Sequence, residues 1–214
     1  MKTTYFKGMA RGKSGVLETS TADLATGVRS SCQTLPDIIS TRKIEVHTAH
    51  IHLPKRLCVS HPIEGFSEGY RPEGLVFKTI RQPAYCVPFD LLALTTSDTF
   101  TSEDYNAEFL PDYHKFVFPT LEAMNLRYTS SEQAIKDLNQ FRESHGFKPI
   151  EGKSMRYNEV CFEGDAVPIL PVALIGSSQE IRALASSNEL ENYETIEKYI
   201  SAGNTQNNAP AMPR

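Results

Sequence analysis

Glu159 is the residue of this chain best placed to do chemistry. It stands in Tyr157-Asn158-Glu159-Val160-Cys161-Phe162-Glu163-Gly164, a stretch that reads as a strand running into a turn. Side chains alternate along a strand, so Glu159, Cys161 and Glu163 share one side while Asn158, Val160 and Phe162 share the other. Val160 and Phe162 suit a core, which turns Glu159 toward whatever cleft the fold makes. A carboxylate fixed there can stabilise positive charge as it develops on a substrate.

Other groups have residue types that invite chemistry. His47, His50, His52 and His61 are four of the six histidines, and Cys58 lies among them. His50 and His52 share one strand face, as a metal pair requires, but His47 falls opposite and no aspartate accompanies them. Exposed strand histidines are the plainer reading. Cys86 follows Tyr85 in an apolar setting, and His114 or His145 with an aspartate would complete a nucleophilic triad. No signature flanks it, so a buried structural thiol is the ordinary reading. Arg11-Gly12-Lys13-Ser14-Gly15 is basic and glycine-rich but lacks the spacing of a phosphate loop. Thr95-Thr96-Ser97 forms a hydroxyl cluster at a strand end, where such residues also serve as caps and turns.

The elements that must position these groups are uneven in clarity. Residues 1–10 read as a first strand around Tyr5 and Phe6. Ser20 to Leu24 is expected to open a short helix ending near Gly27, and 28–41 is expected to be loop. Ile44 to Leu53 is a strand by its β-branched content. Residues 62–74 carry turn chemistry, and strands follow at Gly74–Ile80 and Tyr85–Leu94. Helices are expected at Glu103–Leu110 and at Pro119–Leu126, with proline in the first turn. Thr129-Ser130-Ser131-Glu132-Gln133 is a capping pattern for a helix running to about His145. Its apolar stripe is Ala134, Ile135, Leu138 and Phe141, and Gly146 stops it. After the Glu163-Gly164-Asp165 turn, Val167–Ile175 has the length of a buried strand. Pro168 and Pro171 cannot donate to a ladder, so part of that run belongs at a sheet edge or bulge. A last helix or helix pair begins after Gly176, packing through Ile181, Leu184, Ile196 and Tyr199 and broken at Ser186-Ser187-Asn188.

The chain has 214 residues, 40% hydrophobic and 22% charged, enough for a real core. A net charge of -4 gives no general attraction for nucleic acid or anionic membrane. No run of about 18 apolar residues exists, so no membrane span is expected. Met1 to Lys7 lacks the apolar stretch of a secretory signal peptide. The four cysteines show no CxxC spacing, which favours reduced thiols in a cytosolic compartment. No internal repeat is visible. One domain over 1–200 is expected, followed by a disordered tail over 201–214.

The strand pair resembles the catalytic strand of ADP-ribosyltransferases, where a Glu, a Val and apolar residues lead through a glycine turn into a second apolar strand. Glu159-Val160-Cys161-Phe162-Glu163-Gly164 and Val167–Ile175 have that shape. Tyr157-Asn158-Glu159 is similar to the poly-ADP-ribose polymerase branch. Leu94-Thr95-Thr96-Ser97 is similar to the family's second element, and Tyr5-Phe6-Lys7-Gly8 to its first, with Lys7 in an arginine position and Arg11 nearby. The resemblance implies an α+β fold with a split antiparallel sheet and flanking helices, and transfer of ADP-ribose from NAD to a protein acceptor. It implies Glu159 as the catalytic carboxylate, with Lys7, Arg11, Thr95, Thr96, Ser97 and Tyr157 around NAD. Toxin-type members carry Glu or Gln where Tyr157 stands.

The acidic helix expected at Glu189–Glu194 with Glu197, followed by a polar tail, resembles type IV secretion signals. That implies a bacterial effector, delivered into a host cell without a cleaved signal peptide. The alternatives are a non-enzymatic protein-binding effector module and a hydrolase or transferase using Cys86 as nucleophile.

Overall fold

The computed structural model describes residues 3–22, 29–46, 56–61, 73–87, 118–128, 131–144, 146, 149 and 158–207. Twelve strands are named in chain order: β1 (Thr4–Gly8), β2 (Ala10–Arg11), β3 (Leu17–Ala22), β4 (Arg29–Thr34), β5 (Lys43–Glu45), β6 (Arg56–His61), β7 (Gly74–Lys78), β8 (Tyr85–Val87), β9 (Asn158–Glu163), β10 (Ala166–Pro168), β11 (Leu170–Ile175) and β12 (Glu191–Tyr193). The helices are α1 (Leu35–Thr41), α2 (Leu121–Arg127), α3 (Ser131–Ser144), α4 (Gln179–Ser187) and α5 (Ile196–Asn207).

The first expected strand is the middle of the largest sheet, whose seven strands run β12-β11-β7-β1-β6-β9-β8. All its pairings are antiparallel except β11 with β12. Consecutive residues of β1 are buried on opposite faces, Tyr5 at 3% exposure and Phe6 at 0%. Such a strand must be covered on both sides. On the Tyr5 face, Phe77 and Phe162 pack against its ring at 5.8 and 5.4 Å, the latter edge-on. Leu35 and Ile38 of α1, Met124 of α2, Ala134 of α3, and Ile181 and Ala185 of α4 join that core. On the Phe6 face, Val76, Ala173 and Ile175 are covered by Ile196, Tyr199 and Ile200 of α5. The molecule is therefore α+β, with helices on both faces of a mainly antiparallel sheet. The seven strands form one continuous sheet; beside it stand a three-stranded sheet β2-β3-β4 and a two-stranded pair β10-β5.

The prolines behave as their chemistry requires. Pro168 ends β10 in the two-stranded pair, and the β11–β7 register shifts between Pro171 and Ala173. The expected single strand over Val167–Ile175 is thus two, divided at Ile169. The turn between β9 and β10 also forms: Gly164 has φ +106°, and Arg81 donates to the carbonyls of Glu163 and Ala166 on either side of it. A side chain at Gly164 would collide with that guanidinium.

Four expectations need correction. Ser20 to Ala22 lies in β3, not in a helix, because the hydroxyl-rich stretch pairs with β4 across a bulge at Thr19/Ser20. Residues 29–41 are β4 and α1, not loop. Thr34 caps α1 by accepting from the Asp37 amide, a proline stands at its start, and Leu35, Ile38 and Ile39 form a buried stripe. The segment Glu189–Glu194 is not helical: Asn188 ends α4, Glu189 turns left-handed at φ 56°, and β12 pairs in parallel with β11. Asn192 fixes that pairing by donating to the carbonyls of Leu174 and Gly176. Finally, α5 continues through Ser201 to Asn207, held by its apolar residues on the Phe6 face. The expected helices α2 and α3 are present, although Pro119 precedes the Thr120 cap and does not enter the first turn. The expectations at 47–53, 62–72, 88–94, 103–110 and 208–214 lie outside the described residues.

Candidate active site

Glu159 is the second residue of β9, an interior strand between β6 and β8. Its direct partners are Ser60 on β6 and Val87 on β8. The hydrogen-bonding phase follows from the far side of β8. Cys86 exchanges both backbone hydrogen bonds with Phe118, at 2.7 and 2.9 Å, so its backbone groups point away from β9. Tyr85 and Val87 therefore turn theirs toward β9, and Val87–Glu159 is a hydrogen-bonded pair. Ladder bonds alternate from residue to residue, so Glu159–Ser60 on the other side is a pair without them. Such pairs bring Cα atoms to about 4.5 Å, the closest cross-strand approach. Ser60 is 6% exposed, one of few buried polar residues among those described. A buried serine thus stands in register with Glu159. Sequence reading missed Ser60, though Leu57 and Val59 alternate just before it and mark β6.

The register separates Glu159 from the two cations expected near it. Its row runs from Val87 through Ser60, Phe6 and Val76 to Ala173. Lys7 is one step off that row. It is opposite Leu75, on the Tyr5 face, and two strands from β9, about 10 Å at ordinary strand spacing. Arg11 is committed elsewhere. Its Nε and Nη2 donate to the two carboxylate oxygens of Glu73 at 2.9 and 2.8 Å, and its Nη1 donates to the Gly15 carbonyl and toward Glu180. The bond to Glu73 is the main reason its pKa is raised. That fork ties β2 to the entrance of β7 and the first turn of α4. Thr95, Thr96, Ser97 and Tyr157 lie outside the described residues, although β8 leads toward the first three and β9 begins directly after Tyr157.

Two further groups take definite states. Cys86 is fully buried, and desolvation pushes its thiol up to about 11. It stays protonated at neutral pH, the opposite of what a cysteine nucleophile needs. His61, at the end of β6, places Nδ1 3.0 Å from the carbonyl oxygen of Thr4, with its ring 5.7 Å from that of Tyr5. A carbonyl only accepts, so Nδ1 is the donor in this hydrogen bond. His47, His50 and His52 lie outside the described residues, and among those described no group of three or more His, Cys, Asp or Glu side chains could hold a metal ion. No described helix is long and apolar enough to cross a membrane.

What the arrangement brings together is a carboxylate position, a buried hydroxyl and the β8 strand, all around β9. Comparison of the chain with protein-family models, with curated proteins and with solved structures finds no match in any of the three.

Proposed function

We propose that this chain transfers ADP-ribose from NAD to a protein acceptor, with Glu159 as its catalytic carboxylate. The observation that carries the reading is the strand order β1-β6-β9-β8. It sets β1, with Tyr5-Phe6-Lys7-Gly8, two strands from β9, with Glu159, although the two are far apart in the chain; Leu94 to Ser97 lie outside the described residues. In the reaction the bond between ribose C1′ and the nicotinamide nitrogen breaks, and its electron pair leaves with nicotinamide. Positive charge develops on the ribose, where Glu159 stabilises it and accepts a hydrogen bond from a ribose hydroxyl. The acceptor then attacks C1′ and loses its proton. Ser60, opposite Glu159, orients the carboxylate. Thr95 or Ser97 would hold Glu159 and the ribose by hydrogen bonds, as the family resemblance implies. Arg11 is excluded by Glu73, and Lys7 acts at most as a charge at long range.

The test is nicotinamide release from NAD by the purified full chain. Glu159→Gln should lower the rate by about 10²–10³-fold, the usual effect of removing one charge-stabilising group. Glu163→Gln, at the exposed end of the same strand, should leave it unchanged. Absence of release by the unaltered chain, or an unaffected Glu159→Gln, overturns the reading.

A further inference from the structure

Cys58 of β6 and Cys161 of β9 are directly opposed in the sheet. They lie two residues along from Ser60 and Glu159 and therefore share the same hydrogen-bonding phase. Tyr85 is the hydrogen-bonded partner of Cys161 on β8, and the Ala84 amide donates to the Cys161 carbonyl at 2.8 Å. The Cys58–Cys161 position on the other side is then a close pair without ladder bonds, with Cα atoms about 4.5 Å apart. A disulfide spans Cα separations of about 4.4–6.8 Å. The backbone already stands where the bond needs it, at the short end of that range.

We propose that Cys58 and Cys161 form a reversible cross-strand disulfide joining β6 to β9. The inference rests on strand register and does not depend on the transferase reading. In the structure Cys161 is a buried thiol. Cys86 is opposite Val160, one position along β9 and on the core face, so it does not compete for Cys161 across the ladder. A low-molecular-weight disulfide, such as oxidised glutathione, is the oxidant. One protein thiolate attacks it, forming a mixed disulfide and releasing one glutathione thiol. The second protein thiolate then displaces the other glutathione. Two protein thiols lose their protons and two electrons, and one glutathione disulfide becomes two thiols. Because Cys161 is enclosed, the exchange proceeds through transient opening of β6 from β9. Thiol–disulfide exchange runs in both directions, which makes this bond a reversible modification and not a permanent staple.

The experiment is incubation of the full chain with oxidised glutathione for hours, alkylation under denaturing conditions, and non-reducing peptide mapping. The expected product is an intramolecular cross-link between the peptides holding Cys58 and Cys161, two hydrogens lighter than the reduced pair and reversed by dithiothreitol. Two of the four thiols should then resist alkylation. Cys58→Ala should abolish the cross-link, and Cys86→Ala should retain it. Recovery of Cys58 and Cys161 as thiols or as separate glutathione adducts overturns the proposal, as does a bond from Cys161 to Cys32 or Cys86. Because the readout is a mass, it stands whatever the protein does with NAD.

Discussion

The two halves of the large sheet, on either side of β1, are built for different ends. In the β7-β11-β12 half, β7 and β11 are apolar on both faces. Leu75, Phe77 and Leu174 face one core, while Val76, Ala173 and Ile175 face the other. In the β6-β9-β8 half only one face repeats that pattern, through Leu57, Val59, Val160, Phe162 and Cys86. At the alternate register positions Ser60 stands opposite Glu159, and Cys58 opposite Cys161. Both halves thus build the Tyr5-side core, and only the second sets a buried serine and a buried cysteine in the rows where the first has Val76, Ala173 and Ile175. A fold tolerates such residues in a sheet interior where function outweighs packing.

The sharpest way to break this comparison is to damage the apolar cluster that β1 shares with the β7-β11 strands. Phe6→Ala removes a fully buried ring in the middle strand and should cost about 3–5 kcal/mol in urea unfolding. A loss below about 1 kcal/mol would mean that the Phe6 face bears little of the fold. A smaller effect comes from Cys86. Its thiol ordinarily titrates near 9.0 and burial raises it to about 11. The unfolded chain therefore ionises first. The Cys86 contribution is fully present below about pH 9 and is lost as pH rises from there to about 11, by about 2–3 kcal/mol. Tyr5 and Tyr128 are also raised by burial and add slope at high pH, so the measurement is the difference between the parent and Cys86→Ala. Flat behaviour of that difference would show that the thiol is solvated.

Ser60→Ala probes the other half. Loss of one buried hydroxyl should cost only about 1 kcal/mol of stability, yet lower nicotinamide release by about tenfold through misplacement of Glu159. Equal, small effects on both would reduce Ser60 to packing. The least change is expected from Glu73→Gln. The Arg11 ion pair is partly solvated, at 36% and 25% side-chain exposure, and its removal should shift stability by less than about 1 kcal/mol. Since Arg11 is released by that change, any rise in NAD affinity would sharpen its assignment.

What the sequence disclosed follows the same division. Tyr5-Phe6, Leu75–Phe77 and Val160–Phe162 are dense apolar runs, and β1, β7 and β9 were legible from them. The hydroxyl-rich β3 and β4 carry no such signal and form by pairing with each other. Strand β12 reads as an acidic helix because its strand character comes from β11, a partner that local pattern does not reveal. The site behaves likewise. Glu159 was visible as a carboxylate in an apolar strand, whereas the Ser60 and Cys58 positions depend on register between segments a hundred residues apart. Register is also what separates Lys7 from Glu159, although both stand in strands that sequence located.

Strand β1 lies at the centre of the sheet, yet both of its neighbours, β6 and β7, come much later in the chain. During synthesis it waits with both hydrogen-bonding edges unfilled until β6 and β7 have emerged, and their own further neighbours β9 and β11 arrive later still. Contacts so remote along the chain slow folding and prolong exposure of Tyr5 and Phe6 to aggregation. A growing polypeptide of this sequence is therefore a natural client for chaperones that shield a nascent segment.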